Sequence, residues 1–195
     1  WETVEIPHTW NARDMQVRYN NFYEGVGYYK KNFFCPGDLK DKRVFLRFEG
    51  VGACSEVYVN GRLAGTHKGP SLKPGSDNEI VVKADNQSRP DVIPVNHVLF
   101  GVYGGIYRPV WLVVTGKSSI AVNDCASSGV YITQKNVSKR SADIAVKVKL
   151  DNAALHPVPV VLENTIYTQE GRKIASQKQN IELTPHGIQA CVANF

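Results

Sequence analysis

The residues that most suggest a binding or catalytic site lie in one glycine-rich stretch, GVYGGIYRPVWLVV. Glycines that cradle a phosphate precede a helix, whose N-terminal amide groups face the anion. Here the chain continues as an apolar run typical of a strand, which argues against a phosphate site. We interpret Gly104 and Gly105 as a bend or bulge in the backbone. Such a bend would let two tyrosines pack and would offer an arginine to a carboxylate: Tyr103, Tyr107 and Arg108.

Outside this stretch, the sequence offers no catalytic or metal-binding spacing. Carboxylates and histidines are dispersed over turns and strand faces, and no serine stands in a nucleophile-elbow pattern, so a hydrolase triad is not predicted. The four cysteines form no C-x-x-C pair, so we interpret them as free buried thiols and expect no metal and no cofactor. The side chains considered are Glu24, Glu49, Glu56, Asp85, Asp91, His8, His67, His97, His156, His186, Cys35, Cys54, Cys125 and Cys191.

Composition limits the classes of partner. The 195 residues are 43% hydrophobic and 21% charged, which suits one large or two small globular domains. The net charge of +5 is spread along the chain and no basic run alternates with aromatics, so no nucleic-acid partner is predicted. No apolar run approaches the ~20 residues that cross a bilayer, so no membrane partner is predicted. The compartment stays open between cytoplasmic and exported with the signal removed, and so does the oligomeric state.

Strands are predicted throughout the chain, because no long segment has helical periodicity. Asn60-Gly61 between two apolar runs predicts a type I′ hairpin. The run RPVWLVV is apolar on both faces and predicts a central strand of a sandwich. In ADIAVKVKLDN, the alternation predicts an inward row of Ile144, Val146, Val148 and Leu150, with Asp151 in the outward row. A second β domain is predicted from residue 117, with a turn at Glu170-Gly171.

Five blocks of sequence follow one another along the chain: VEIPHTWN, EGVGYYKKNFFCP, KRVFLRFEGVGACSEVYVNGRLAGTHKG, NEIVVKADN and YGGIYRPVWL. In this order they resemble the N-terminal region of glycoside hydrolase family 2, in its β-galactosidases and β-glucuronidases. The resemblance implies an all-β fold of two sandwiches. Residues 1–116 would form a sugar-binding jelly-roll (galactose-binding-like) domain. Residues 117–195 would form an immunoglobulin-like domain that stops where one more strand could be needed.

The resemblance implies a retaining glycosidase, in which two glutamates ~5 Å apart act through a covalent glycosyl-enzyme. In the family both glutamates lie in a (β/α)8 barrel after the β domains, and no such strand–helix alternation occurs here. The chain is therefore predicted to be a non-catalytic portion of a β-galactosidase that acts on a β-linked sugar, supporting and partly lining its pocket. Two alternatives stay open: a free-standing carbohydrate-binding module, with Trp10, Tyr23 or Tyr28 as stacking platforms, or a β-sandwich scaffold protein.

The resemblance also implies sugar contacts on a loop ahead of the bend. Some family members carry an aspartate four residues ahead of the position of Tyr103, where this sequence has Leu99. We therefore predict the neighbouring polar residues Asn96 and His97 as substitutes.

A second contact loop of the family runs ahead of the strand GYYKKNFF. Asn20 and Asn21 lie there, and an asparagine amide suits sugar recognition because it both donates and accepts. Asparagine pairs in loops are also ordinary turn residues, so both interpretations stay open. A further departure lies between Gly69 and Pro70, where roughly ten residues of the family's pattern are missing, about two short strands. Either the segment is truly short or residues are missing from the sequence, and we favour the omission, because losing a strand would expose a sheet edge.

Overall fold

The computed structural model describes most of the chain as strands joined by turns. The described residues are 1–14, 22–64, 72–93, 101–125 and 127–195. One short 3-10 helix, Gly37–Asp41, stands among them. The described chain separates into two compact units: unit 1 comprises Trp1–Lys40 and Val44–Val114, and unit 2 comprises Asp41–Arg43 and Thr115–Phe195. The prediction of an all-β fold made of β-sandwiches is confirmed.

Unit 1 is built from two antiparallel sheets. Its strands are β1 (Val26–Cys35), β2 (Arg43–Phe48), β3 (Cys54–Val59), β4 (Arg62–Leu63), β5 (Ser76–Asp85) and β6 (Val110–Thr115). The first sheet has the order β1-β5-β3-β4, and β2 pairs with β6 in the second. The hairpin between β3 and β4 turns at Asn60 and Gly61, whose φ angles of 51° and 75° are those of a type I′ turn. The hairpin prediction is therefore confirmed.

The two sheets of unit 1 line a common open cavity of about 1540 Å³, walled mostly by apolar side chains. Phe33 and Ile80 line it from the first sheet, and Leu46 and Val110 line it from the second. The prediction that RPVWLVV forms a central strand is wrong, because β6 pairs with β2 alone in the described chain and Trp111 is 53% exposed. An apolar run cannot distinguish a strand buried on both faces from one that lines a cavity and also meets solvent.

Unit 2 also contains two antiparallel sheets. Its strands are β7 (Ser118–Ile120), β8 (Val130–Lys135), β9 (Asp143–Asn152), β10 (Val158–Tyr167), β11 (Lys173–Leu183) and β12 (Gly187–Asn194). Strand β9 pairs with β12 on one side and with both β7 and β8 on the other, while β10 and β11 form a separate hairpin. That hairpin turns at Gly171, whose φ of 84° is readily adopted by glycine.

The core of unit 2 follows the alternation predicted for β9. Val146, Val148 and Leu150 are buried and pack with Leu183 of β11, so their predicted inward row is confirmed. Asp151 belongs to the outward row, yet it is buried. Arg43 begins β2 but belongs to unit 2, and its guanidinium covers Asp151, with 2.7 Å between Nη1 and Oδ2. A charge-assisted hydrogen bond of this kind lets a carboxylate leave water.

Candidate functional site

The site is organised around two buried asparagines, Asn11 and Asn86, whose side chains are removed from solvent completely. Asn11 follows the proline-histidine-threonine-tryptophan run near the start of the chain, and Asn86 directly follows β5. Asn86 Nδ2 donates to Asn11 Oδ1 over 3.2 Å. Buried amides are stable only when their donors and acceptors are satisfied, so the partners of each side chain define what it holds.

Asn86 ties the chain before β1 to the glycine-rich bend. Its Oδ1 accepts from the Gly25 amide at 2.8 Å, and its Nδ2 donates to the Tyr23 carbonyl at 3.0 Å. The same Nδ2 donates to the Val102 carbonyl at 2.8 Å. One side chain therefore fixes backbone from two segments that are about 80 residues apart in the chain.

Asn11 holds the same two segments from the other side. Its Oδ1 accepts from the Gly104 amide at 2.7 Å, and its Nδ2 donates to Asp14 Oδ2 at 2.7 Å and to the Tyr23 carbonyl at 2.8 Å. Asp14 Oδ2 also accepts from the Tyr23 amide at 3.0 Å. The hydrogen bonds from the Tyr23 amide and the Asn11 side chain hold the pKa of Asp14 below its usual value, because they stabilise the ionised form.

This network, which we call the asparagine hub (Asn11, Asn86 and Asp14), lies next to two ranges outside the described residues. Asp14 and Tyr23 stand close to the two ends of residues 15–21, and Val102 stands just after residues 94–100. The predicted sugar contacts Asn20, Asn21, Asn96 and His97 fall in these ranges and lie outside the described residues, as do Leu99, His67 and the Gly69-Pro70 junction. The hub thus bonds the chain on both sides of residues 15–21 and just after residues 94–100.

Trp10 explains why the bend contains glycine at position 104. A Cβ added at Gly104 would overlap the indole ring of Trp10, and one added at Gly27 would lie 2.9 Å from Trp10 Cε3. Trp10 is therefore packed between two glycines and is not the exposed stacking platform considered from sequence. Tyr23 and Tyr28 are 52% and 56% exposed.

Gly105 makes the second close approach of the bend. Its φ of 120° is one that residues with a side chain rarely adopt, and an added Cβ would lie 2.7 Å from the His8 carbonyl oxygen. It pairs with Gly52, whose amide donates to the Gly105 carbonyl at 2.9 Å. The bend is therefore held on one side by the N-terminal segment and on the other by the segment before β3.

The side chains flanking the bend face solvent. Tyr103 and Tyr107 are 42% and 47% exposed, and the Tyr103 ring meets the edge of Phe22 at 5.6 Å between centroids. Arg108 is exposed and pairs with no carboxylate of the described chain.

The carboxylates considered from sequence hold separate structural partners. Glu56 accepts from Tyr58 Oη at 2.6 Å and from Lys83 Nζ at 3.1 Å, and these bonds lower its pKa. Glu49 accepts from the indole of Trp111 at 2.9 Å. Asp85 and Glu24 accept from backbone amides, and Asp91 accepts from an arginine. Within the described ranges, no cluster of three or more histidine, cysteine or acidic side chains could hold a metal. No helix of those ranges is long and apolar enough to cross a membrane.

Sequence reasoning found the bend but missed the asparagine hub. Asn11 and Asn86 both lie in the blocks that carry the family resemblance, at the end of VEIPHTWN and of NEIVVKADN. An asparagine after a strand is also an ordinary turn residue, so its type alone does not point to a buried pair.

Known proteins with similar sequences and structures indicate the class of protein to which this chain belongs. No protein-family model matches the chain. A beta-glucuronidase of Bacteroides fragilis is 35% identical over 191 residues, which cover 92% of this chain and 27% of that enzyme. A crystal structure of a Bacteroides fragilis protein provisionally described as a beta-galactosidase matches all of this chain and 30% of its own, with 66% identity and a TM-score of 0.95. A beta-glucuronidase structure from glycoside hydrolase family 2 matches with 27% identity and a TM-score of 0.84.

By these similarities, the chain is a β-sandwich portion of a protein of the glycosidase class. It is related to the enzymes of glycoside hydrolase family 2, and the resemblance carried by the five sequence blocks is confirmed. The chain spans 27% and 30% of the length of the two Bacteroides fragilis proteins and 23% of the length of the family 2 beta-glucuronidase. It therefore corresponds to a portion of such an enzyme.

Proposed function

We propose that the chain is the non-catalytic N-terminal portion of a retaining family 2 glycosidase that acts on β-galactosides. In this proposal residues 1–116 form a jelly-roll, sugar-binding domain and residues 117–195 an immunoglobulin-like domain. The pairs of antiparallel sheets support the two assignments: those of unit 1 line a shared apolar cavity, and those of unit 2 pack over a shared core.

One observation carries the proposed contribution to the sugar pocket. The asparagine hub fixes the backbone on both sides of residues 15–21, which include Asn20 and Asn21, and the backbone just after residues 94–100, which include Asn96 and His97. Loops that bind a ligand work best when a rigid scaffold sets where they start and finish. A buried hydrogen-bonded hub is such a scaffold, because moving either end would leave polar groups without partners.

The proposed substrate class follows from the relatives. Over the aligned residues, this chain is 66% identical to the provisionally described beta-galactosidase and 35% identical to the Bacteroides fragilis beta-glucuronidase. The higher identity favours a β-galactoside over a β-glucuronide. The five carboxylates considered from the sequence hold structural partners, and we assign the two catalytic glutamates to the part of the parent enzyme that forms its barrel.

The experiment that tests this proposal compares the natural protein with the 195-residue chain. The chain has a mass of 21.6 kDa, and a (β/α)8 barrel of ~250 residues would add roughly 30 kDa. We expect the natural protein to be at least that much heavier and to hydrolyse 4-methylumbelliferyl β-galactopyranoside, whereas the 195-residue chain alone should not. A natural mass of 21.6 kDa, or hydrolysis by the 195-residue chain, would overturn the proposal.

A further inference from the structure

The turn of the β3–β4 hairpin, Asn60-Gly61, is the one Asn-Gly pair of the sequence. In such a pair the glycine amide nitrogen can attack the asparagine side-chain carbonyl, because glycine has no side chain to hinder the approach. The Cγ–Nδ2 bond breaks, ammonia leaves with the amide proton, and a cyclic succinimide remains. Water then opens this ring at either carbonyl and gives aspartate or isoaspartate.

The backbone of the closed hairpin prevents this attack. The φ angles of Asn60 and Gly61, 51° and 75°, are those of a type I′ turn. The first central residue of such a turn has a ψ of about +30°. At that ψ, Gly61 N lies nearly opposite Asn60 Cβ across the Cα–C bond. The succinimide ring closes only when these two atoms are nearly eclipsed, so the closed turn keeps the nucleophile away from Cγ.

Hydrogen bonds to β5 also hold the Asn60 side chain. Its Oδ1 accepts from the Glu79 amide at 3.0 Å, and its Nδ2 donates to Asn78 Oδ1 at 2.8 Å. Asn78 is only 2% exposed, and its own Nδ2 donates to two backbone carbonyls near the start of β5. Rotating the Asn60 amide toward Gly61 would therefore break bonds to a fixed partner.

The position of β4 allows the hairpin to open while the rest of its sheet stays paired. In the described chain β4 is the last strand of the sheet, and both of its residues, Arg62 and Leu63, are exposed. A Cβ added at Gly61 would have no atom of the described residues within 4 Å, so water reaches the turn. Short exposed segments open at a lower free energy than the core of a sheet. Opening frees the ψ angle of Asn60 and releases its side chain together.

The products of the reaction do not fit the closed hairpin. Aspartate has a carboxylate oxygen in place of Nδ2, so two acceptors would face each other across the 2.8 Å that now separates Asn60 Nδ2 from Asn78 Oδ1. Isoaspartate adds a carbon to the main chain of a turn that sets the register of two strands. Both products therefore oppose reclosing.

We propose that Asn60 is a deamidation site whose reactivity is controlled by the β3–β4 hairpin. The closed hairpin protects the side chain, and each opening exposes it to a conversion that hinders reclosing. The modification thus marks opening of this hairpin irreversibly. The inference is independent of the proposed function, because it uses no residue of the asparagine hub and no contact with a sugar.

Incubation of the natural-length protein at slightly alkaline pH, then digestion at acidic pH and mass spectrometry, measures conversion at Asn60. The free peptide EVYVNGRLA, residues 56–64, gives the rate without a hairpin. We expect conversion in the protein to be at least about tenfold slower than in the peptide, the factor that ~1.4 kcal/mol of opening free energy gives. Equal rates in protein and peptide would overturn the inference.

Asn78→Ala removes the acceptor of Asn60 Nδ2 and should raise the rate of conversion about fivefold, as loss of one hydrogen bond does. Asn86→Ala is the matched control, because Asn86 is an equally buried asparagine of unit 1 that makes no bond to Asn60 in the described chain. It should leave the rate unchanged. Equal rates in the two variants would also overturn the inference, because conversion would then follow unfolding of the whole unit.

If Asn78→Ala does not fold, Asn60→Asp decides the question, because it introduces one of the two products directly. The Ala64 amide donates to the Val57 carbonyl at 2.7 Å across the hairpin, so its hydrogen exchange reports opening. Asn60→Asp should speed this exchange by about tenfold, and exchange at Gly25 should stay as it is. Unchanged exchange at Ala64 would show that the product recloses the hairpin, which contradicts the proposal.

Discussion

Asn86 donates from its side-chain amide to Asn11 Oδ1 over 3.2 Å, and neither side chain is reached by solvent. The two residues are 75 positions apart, so the bond joins the start of the chain to the end of β5. Their other hydrogen bonds go to Asp14, Tyr23, Gly25, Val102 and Gly104. The pair thereby fixes the backbone of the bend and of the segment before β1.

Replacing Asn86 by alanine should destabilise unit 1 by about 3 kcal/mol, because it takes this partner from the Gly25 amide and the Val102 carbonyl and removes one of the two side-chain bonds to the Tyr23 carbonyl. Urea unfolding followed by tryptophan fluorescence measures this. All three tryptophans, Trp1, Trp10 and Trp111, lie in unit 1, so the signal is specific to that unit.

Asn78→Ala is the matched control for this substitution. Asn78 is equally buried at the other end of β5 and bonds Lys73, Ser76 and Asn60. It should lower stability by a similar amount. Hydrogen exchange separates the two variants: Asn86→Ala should speed exchange at Gly25 and Gly104, and Asn78→Ala should not. Equal protection of Gly25 in both would contradict the assigned role of the hub.

Gly104→Ala should destabilise unit 1 by about 3 kcal/mol, the upper part of the range for overpacking, because the added methyl group overlaps the rigid indole of Trp10. Gly37→Ala is the control, since its added Cβ would meet nothing closer than Gly75 Cα at 3.8 Å. Thermal unfolding of both variants measures the difference. A Gly104→Ala protein as stable as Gly37→Ala would show that the tryptophan does not pack against the bend.

The acid stability of unit 1 should depend on Asp14. Its folded pKa lies below the usual value of 3.8, so its contribution is complete above that value and is lost as the pH falls through the folded pKa. Asp14→Asn should flatten this loss. Unfolding free energies of both proteins between pH 6 and pH 2 measure it. Parallel curves for the two proteins would exclude the hydrogen bonds from Tyr23 and Asn11 as the cause.

In unit 2, Asp124 and Lys149 should stabilise the loop before β8 across a wide pH range. Lys149 Nζ donates to Asp124 Oδ1 at 2.8 Å and Tyr131 Oη also donates to this carboxylate, which lowers the pKa of Asp124 and raises that of Lys149. The contribution is lost as the pH falls through the folded Asp124 pKa, or rises through the folded Lys149 pKa. Lys149→Met should therefore shift the Asp124 titration, followed by carboxyl NMR, toward higher pH.

A matched control for this pair is Lys178→Met. Lys178 lies 3.3 Å from Glu163 on the exposed face of β11, so its removal should leave the Asp124 titration in place. An unchanged Asp124 titration in Lys149→Met would mean that the tyrosine hydroxyl alone accounts for the lowered pKa.

The strands could be predicted because their signals are local. Alternation in β9 identified the buried row Val146, Val148 and Leu150, and Asn60-Gly61 identified a turn. The burial of β6 could not be predicted from the sequence, because it depends on which strands lie beside it. The asparagine hub could not be predicted either, since a hydrogen bond between residues 75 positions apart leaves no periodic pattern in the sequence.

The predicted sugar contacts lead to a kinetic expectation for the natural-length enzyme. If Asn20 and Asn96 bond sugar hydroxyls, each alanine substitution removes about 1 kcal/mol of transition-state binding, which lowers kcat/KM for a β-galactoside roughly fivefold. Asn180→Ala is the control, because Asn180 is an exposed asparagine of β11 in unit 2. Asn86→Ala should lower kcat/KM as well, with no sugar contact of its own, because it removes bonds to the Tyr23 and Val102 carbonyls, which stand beside residues 15–21 and 94–100. Full activity in Asn20→Ala and Asn96→Ala together with a loss in Asn86→Ala would keep the hub as the positioning element and remove these asparagines from the pocket.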